Sequence, residues 1–319
     1  MARRKKGRPI HGWLVLDKPY DMGSTEAVSR LRWFAQAQKA GHAGTLDPLA
    51  TGLLPIAFGE ATKTVPYVQD GLKTYRFTAR WGEARDTDDT EGKVTARSDA
   101  RPDAQAIQDA LPRFTGVIRQ RPPAFSAIKV AGERAYDLAR EGEAVTLPER
   151  EVTVHRLTLI EAREDEAVLE AVTGKGTYVR SLVRDLAEAL GTVGHVGQLR
   201  RTAVGPFGED DMVTMEAVTG RPGDVRLAPE DRDEARFDAH LLGTHEAFRD
   251  QAQAIVDQAQ AHRLRHGQEA LLAPQDAKAV RGDRAGEIEP VLAVQGGEAV
   301  AICRLDGLKL APIKVLGAA

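Results

Sequence analysis

The sequence predicts an α+β protein with one large domain followed by a small β-rich one, and three features carry that expectation. Segments such as "LKTYRFTARW" from Leu72 alternate apolar and polar residues with the period of a half-buried strand. Others repeat apolar residues at helical spacing: "GTYVRSLVRDLAEALG" puts Val179, Leu182, Val183, Leu186 and Leu190 on one face. The last stretch breaks into short apolar runs, "PVLAVQ", "AVAICRL" and "LKLAPIKVL", separated by Gly296-Gly297 and Asp306-Gly307, which are hairpin signals. A chain of 319 residues has room for both domains.

In chain order, residues 1–11 read as a basic tail holding Arg3, Arg4, Lys5, Lys6 and Arg8, either a solvated end or an arm that touches RNA. "GWLVLDKP" from Gly12 is expected to be a buried strand, and "STEAVSRLRWFAQAQ" a helix capped by Ser24 or Thr25. A glycine-rich loop precedes "LLPIAF", a strand in which Pro55 calls for an edge or a bulge. Tyr75, Phe77, Ala79 and Trp81 share one face of the next strand. "RDTDDTEG", 85–92, has aspartates at the i, i+2 spacing of a calcium loop. Thr90 and Glu91 stand where a ligand and the turn glycine are needed, so no calcium site is expected.

Residues 119–151 carry three prolines and twelve charged side chains, six of each sign, around one short helix; such a composition suits a projecting insertion rather than core. "EVTVHRLTLI" and "EAVLEAVTG" read as strands, and the helix after them as opened by Thr177 and closed by Gly191. The intervening "GKGT" lacks the order of a phosphate loop. "HEAFRDQAQAIVDQAQAHRLRHGQ" reads as helical. The large domain is expected to span 12–249 and the small one 250–319.

Composition narrows the chemistry. A single cysteine, Cys303, forbids an internal disulfide, and with eight scattered histidines it leaves no expected zinc cluster. No run approaches the roughly 20 apolar residues that cross a bilayer, and "MARRKKGRP" is not followed by an apolar core of a signal peptide. A cytoplasmic location without membrane contact is therefore expected. The net charge of −3 argues at first against a nucleic-acid partner, but ten acidic and four basic residues lie between Phe207 and Ala239. The remainder is net +3.

One acid stands out. In "GHAGTLDPLATGLLPIAFG", Asp47 is the only charged side chain, set among glycines, threonines and aliphatics. The glycines allow a tight loop and Pro48 fixes the backbone just past the carboxylate, so the loop presents one acid rigidly, either to cap its own turn or to act. Arg180, in the first turn of its helix, is a cation where the macrodipole disfavours one and so wants a carboxylate, with Asp47 as candidate. Tyr75 is either core or a ring on which a base stacks, worth about 1 to 3 kcal/mol. Lys18, His42, Lys63 and Arg200 with Arg201 could together follow a phosphate backbone.

These motifs, "LVLDKP", "GHAGTLDPLATGLLPIAFGEATK", "KTYRFTARWGEARDTDDTEG", "RPPAFSAIKVAGERAYDLAR", "GTYVRSLVRDLAEALG" and "VGQLRRTAVGPF", resemble in order and spacing the bacterial TruB family of tRNA pseudouridine-55 synthases, from about Gly12 to Phe207. The C-terminal strands resemble that family's RNA-binding PUA domain. The resemblance implies a mixed, largely antiparallel sheet with helices, and 119–151 as a thumb that closes on RNA. It assigns Asp47 as the catalytic aspartate, Tyr75 as the stacking tyrosine, Arg180 as the partner of Asp47 and Leu199 as the apolar residue beside a flipped base. His42 would wedge the T-loop stack. The one departure is "MGST", where a double serine is more usual.

The implied reaction converts uridine to pseudouridine in the T loop of tRNA without a cofactor. Asp47 either forms a covalent adduct or abstracts a sugar proton, and Tyr75 or Asp47 removes the C5 proton. The base must be flipped from its stack at a cost of a few kcal/mol. The expected partner is the tRNA T arm, recognised by shape, with no guide RNA and a monomeric enzyme. Rival readings are a tRNA chaperone that does not use Asp47, a guide-dependent relative, and a glycosidase, which would want two facing acids.

Overall fold

The computed structural model describes residues 7–126, 128–130, 133–134, 147–223 and 226–317. In chain order come β1 (Gly12–Lys18), α1 (Ser24–Phe34), β2 (Ala40–His42), β3 (Thr51–Phe58), α2 (Val65–Asp70), β4 (Lys73–Trp81), β5 (Glu83–Arg85), β6 (Val94–Arg97), α3 (Ala104–Ala110) and β7 (Gly116–Gln120). The pair β8 (Lys129–Val130) and β9 (Glu133–Arg134) lies inside the insertion; the short helix read there, and Arg3 to Lys6 of the tail, fall outside the described residues. Next are β10 (Arg150–Ala162), β11 (Glu166–Thr173), α4 (Val179–Ala189), β12 (Gly194–Val204), β13 (Val213–Thr214), α5 (Met215–Thr219) and α6 (Glu234–Asp238). The chain ends with β14 (Ala252–Ile255), α7 (Gln258–Arg265), β15 (Ala270–Leu271), α8 (Pro274–Arg281), β16 (Ile288–Gln295), β17 (Glu298–Asp306) and β18 (Lys309–Val315). The two larger sheets are mixed, each with a parallel pair among antiparallel ones, and helices accompany them, in keeping with the expected α+β class.

Two compact units are present. The first comprises Met1–Pro48, Gly52–Gly71 and Val204–Ala319, and the second Leu49–Thr51 and Leu72–Ala203. In the first, β1 runs antiparallel to β3 and parallel to β13, and β2 adds to β3. The same unit holds a five-stranded sheet in the order β14-β16-β17-β18-β15, with β14 parallel to β16 and the other pairs antiparallel. One core joins the two sheets: Trp13 and Val15 of β1 pack with Phe207, Phe248, Leu292, Ile302 and Leu316, and the Trp13 and Phe207 rings are 5.4 Å apart. Outside that core, Glu60 accepts from the Gly317 N–H (2.8 Å), and Lys63 Nζ donates to Glu60 (2.5 Å) and to the Val315 carbonyl (2.9 Å).

In the second unit the strand order is β12-β4-β11-β10-β7, with the pairs β4–β11, β11–β10 and β10–β7 antiparallel. The alternation read in β4 puts Phe77, Ala79 and Trp81 into the core, where α4 lays Val179, Leu182, Val183 and Leu186 against them. Gly191, at φ 72°, follows the last turn of α4 in the left-handed conformation that glycine adopts without strain.

Several local expectations are corrected. Pro55 lies at neither an edge nor a bulge: it faces Val15 in unbroken register, while its carbonyl accepts from Ala43 N–H (2.9 Å) on the other flank. A residue's N and C=O point to the same side of a strand, so the missing donor leaves the β1 ladder intact. Gly23, not Ser24 or Thr25, holds the cap position of α1, and Tyr178, not Thr177, that of α4. The stretch from His245 is a 3₁₀ turn, then β14, then α7, because Ala252, Ala254 and Val256 are buried with period two and Asp257 caps the next helix by accepting from Gln260 N–H. Arg8 is not on a free tail. It is paired with Glu234 (3.1 Å) and Asp238 (2.5 Å) of the acidic stretch.

Because Trp13, Phe207 and Phe248 are completed by Leu292, Ile302 and Leu316, removing residues after 250 strips the core of β1. Truncation at 250 is expected to give a protein that binds an apolar dye and lacks a cooperative thermal transition, whereas Trp13→Ala in the full chain costs about 3 to 5 kcal/mol. A truncated chain with native near-ultraviolet dichroism would contradict this.

Candidate active site

The loop between β2 and β3 carries Asp47, half-buried, and the first unit ties the backbone on both sides of it. On one side stands Leu46, whose N–H donates to Ser24 Oγ (2.9 Å) and whose carbonyl accepts from the same hydroxyl (2.7 Å). Ser24 is 4% exposed and Leu46 4%, so these backbone groups have no access to water in place of the serine. Ser24 has thus left the capping role read for it and become a clamp. On the other side, Lys18 Nζ donates to the carbonyl of Pro48 (3.1 Å), and also to those of Met22 (2.7 Å) and Pro19 (2.9 Å). Gly44 and Gly52, at φ 109° and 96°, take the backbone turns that let the loop fold back on β3; Gly41 has an ordinary φ.

Lys18 was expected to follow a phosphate, but its side chain is 0% exposed. Its place in β1, a strand buried almost throughout, explains this: a buried ammonium is tolerated only where carbonyls replace its water. Lys63 likewise is engaged by Glu60 and the end of β18. His42, half-buried, ends β2 opposite Ile56, five residues before Asp47.

The second unit gathers the remaining residues. Tyr75 of β4 and Leu199 of β12 are half-buried and pack at the margin of the core to which Val179 and Leu182 belong. Arg180, 5% exposed, is in the first turn of α4; its Nη1 donates to the Thr87 carbonyl (2.9 Å), its Nη2 to that of Phe125 (2.9 Å), and Asp89 Oδ2 lies 3.6 Å away. Arg200 is half-buried, and Arg201, paired with it in the sequence reading as a surface cation, is 1% exposed. Asp89 and Arg184 were not singled out as site residues from the sequence, and Asp88 was weighed only as a member of a calcium loop. Among the described residues no three His, Cys, Asp or Glu side chains are grouped to hold a metal, and no helix is long and apolar enough to cross a membrane.

A separate cleft of about 500 Å³ opens at the Trp81 end of β4, lined by Arg80, Arg97, Arg101, Asp165 and His195 among others. Six residues of strand, roughly 20 Å, separate Trp81 from Tyr75, so this cleft is not the site of Tyr75. Its arginines are matched by acids: Arg97 with Glu83 (2.7 Å) and Arg101 with Asp165 (2.6 Å).

Two outcomes are expected from this geometry. Ser24→Ala leaves the Leu46 N–H and carbonyl buried without their partner, and should lower stability by about 1 to 3 kcal/mol in a denaturant titration. Burial holds the His195 imidazole below its ordinary value of 6.5. The unfolded chain therefore binds that proton first, and stability falls as pH drops through about 6.5. His195→Gln should flatten the dependence of melting temperature on pH in that window; an unchanged slope would assign it to other groups.

Comparison with known proteins bears on both units. Residues 32–179 match the family described as TruB family pseudouridylate synthase (N terminal domain), and 180–249 match the tRNA pseudouridylate synthase B C-terminal domain. A tRNA pseudouridine synthase B of Agrobacterium fabrum is 54% identical over 318 residues, 99% of this chain and 97% of that protein. One from Mesorhizobium japonicum is 50% identical, covering 99% of both chains. Among solved structures, a Cbf5-Nop10-Gar1 complex gives a TM-score of 0.69 at 24% identity over 96% of this chain and 85% of that one, a likeness of fold alone. The chain belongs to the TruB family of pseudouridylate synthases.

Proposed function

We infer that this chain isomerises uridine to pseudouridine in tRNA, and that its target is the T-loop uridine at position 55. The observation that carries the catalytic assignment is the loop around Asp47: a half-buried carboxylate whose two chain neighbours are each hydrogen-bonded to buried side chains. Such an acid keeps its aim while RNA binds, as catalysis by a positioned group requires. In the reaction the N1–C1′ glycosidic bond breaks, the uracil turns within the pocket, and a C5–C1′ bond forms. C5 gives up its proton and N1 gains one, so composition is unchanged. Asp47 acts on the ribose or the base, Tyr75 stacks on the uracil, and Arg180 is the partner of the Asp47 carboxylate. Leu199 lies beside the flipped base, and His42 occupies the space it leaves in the T-loop stack.

Arg200 is assigned to the RNA backbone. Lys18 and Lys63, both engaged by protein carbonyls, contribute by shaping the site and the joint with β18. The remaining proposals are a catalytic domain over 12–249 with a thumb at 119–151, a PUA-like RNA-binding domain over 250–319, action without cofactor or guide RNA, and a monomer in the cytoplasm.

Release of tritium from tRNA labelled at uracil C5 tests the assignment. Wild type should release it from position 55. Asp47→Asn should bind tRNA within about twofold of wild type and lose turnover by at least about a thousandfold, the scale on which an enzyme's essential nucleophile or base acts. Near-normal release by that variant would remove Asp47 from the chemistry, and release from another uridine would correct the target.

A further inference from the structure

The first turns of α4 bind more than Arg180 requires for itself. Residues 180, 181 and 184 lie close together on the helix; Arg180 and Arg184 each donate to the same two neighbouring segments, and Ser181 to one of them. Ser181 Oγ and Arg184 Nη2 both donate to the Arg121 carbonyl (2.8 Å each), and Arg180 Nη2 to that of Phe125 (2.9 Å), so 121–125, the root of the insertion, is tied to α4 at two points. Gln120, 1% exposed, adds a third tie by exchanging hydrogen bonds with the Tyr178 backbone. Towards the 85–92 loop, Arg180 Nη1 reaches the Thr87 carbonyl and Arg184 Nη1 reaches Asp88 Oδ2 (2.8 Å).

Asp88 is the unusual member. It is 8% exposed and takes a left-handed backbone, φ 60°, rarely used by residues other than glycine, asparagine and aspartate. Its carbonyl accepts from Val196 N–H (3.0 Å) and its N–H donates to the Arg85 carbonyl (3.1 Å). Thr87 and Asp89, which flank it, both face Arg180, and Asp89 is fixed further by the Thr87 hydroxyl (2.5 Å). Burial pushes the Asp88 carboxyl up, against the opposing pull of Arg184 and Arg180. Arg184 is shared: its Nε and Nη2 also reach Asp185 Oδ1 (2.9 Å each).

We propose that Asp88 and Arg184 are a positioning pair: they pin the 85–92 loop and the root of the insertion to α4, and thereby hold the Arg180 guanidinium in place. The inference rests on the catalytic reading of Asp47 and Arg180. Neither Asp88 nor Arg184 touches the uridine. Their effect reaches the reaction through the Thr87 and Phe125 carbonyls that orient Arg180.

The test uses full-length protein and saturating tRNA under single-turnover conditions. Asp88→Asn keeps the side-chain size and the tolerance for the left-handed backbone but removes the charge; Arg184→Gln removes the fork. Each should slow the single-turnover rate by about 10- to 100-fold, as small misplacements do, with the tRNA dissociation constant within about twofold and at a temperature well below each variant's melting point. The double variant should be no slower than the worse single, the mark of a coupled pair. Arg184→Lys should restore only part of the rate. Unchanged rates for both singles, or losses that multiply in the double variant, would overturn the proposal; so would a rate loss that tracks melting temperature or affinity. Should Asp88→Asn not fold, Arg184→Gln against Arg184→Lys decides by the same rate-to-affinity split. Asp47→Asn in the same assay separates the two readings: normal turnover there defeats the catalytic assignment, whereas an inactive Asp47→Asn beside a normal Asp88→Asn defeats the pair alone.

Discussion

A carboxylate carried on a loop holds its aim only when the backbone on both sides is tied, and in this chain much of that depends on one buried ammonium. Lys18 lies at the end of a strand with no water around its head group, so it must be satisfied by carbonyls. The carbonyls it finds belong to three different stretches: the end of β1, the turn before α1, and the Asp47 loop. A group that cannot remain unsatisfied thereby fixes the distance between the strand and the loop. Ser24 completes the arrangement from the start of α1 by matching both backbone groups of Leu46 with one hydroxyl. Rigidity at Asp47 is thus a by-product of burying polar groups that must find partners.

The same logic recurs around Arg180 with the signs rearranged. There the buried groups are guanidinium and carboxylate together, and main-chain carbonyls at Thr87, Arg121 and Phe125 absorb the donors that carboxylates leave over. A cation in the first turn of a helix gains nothing from the helix dipole, so its orientation is set by these acceptors. Backbone carbonyls move only when their segments move. The position of the guanidinium therefore registers the position of two loops at once.

Much of the fold was legible in the sequence. Strict alternation marked β4 and β11, helical spacing marked α4, and paired glycines marked the turn between β16 and β17, because each pattern reports a single buried face. Legibility failed where two patterns coincide or where a partner is distant in the chain. The Ala and Gln residues around 252–256 satisfy a helix and a strand equally, and only pairing with β16 decides for the strand. Pro55 was misjudged because its tolerance depends on which flank its nitrogen faces. Asp47 and Arg180 drew notice from local chemistry alone, one by isolation among apolar residues and the other by its place in a helix. Lys18, Arg201, Asp88 and Arg184 were missed or misread because charged residues are usually solvated, and nothing local says which of them will be enclosed.

The core that Trp13 and Val15 share with Leu292, Ile302 and Leu316 brings together residues from opposite ends of the chain. During synthesis β1 leaves the ribosome long before the side chains that cover it. The second unit, drawn almost wholly from 72–203, can close in the meantime with contacts of shorter range. Contacts of such long sequence separation form slowly, so an apolar strand next to the Asp47 loop waits uncovered until β16 and β17 have emerged. Nascent chains stalled before the β16–β17 hairpin are the species in which that strand is open to chaperones and to aggregation.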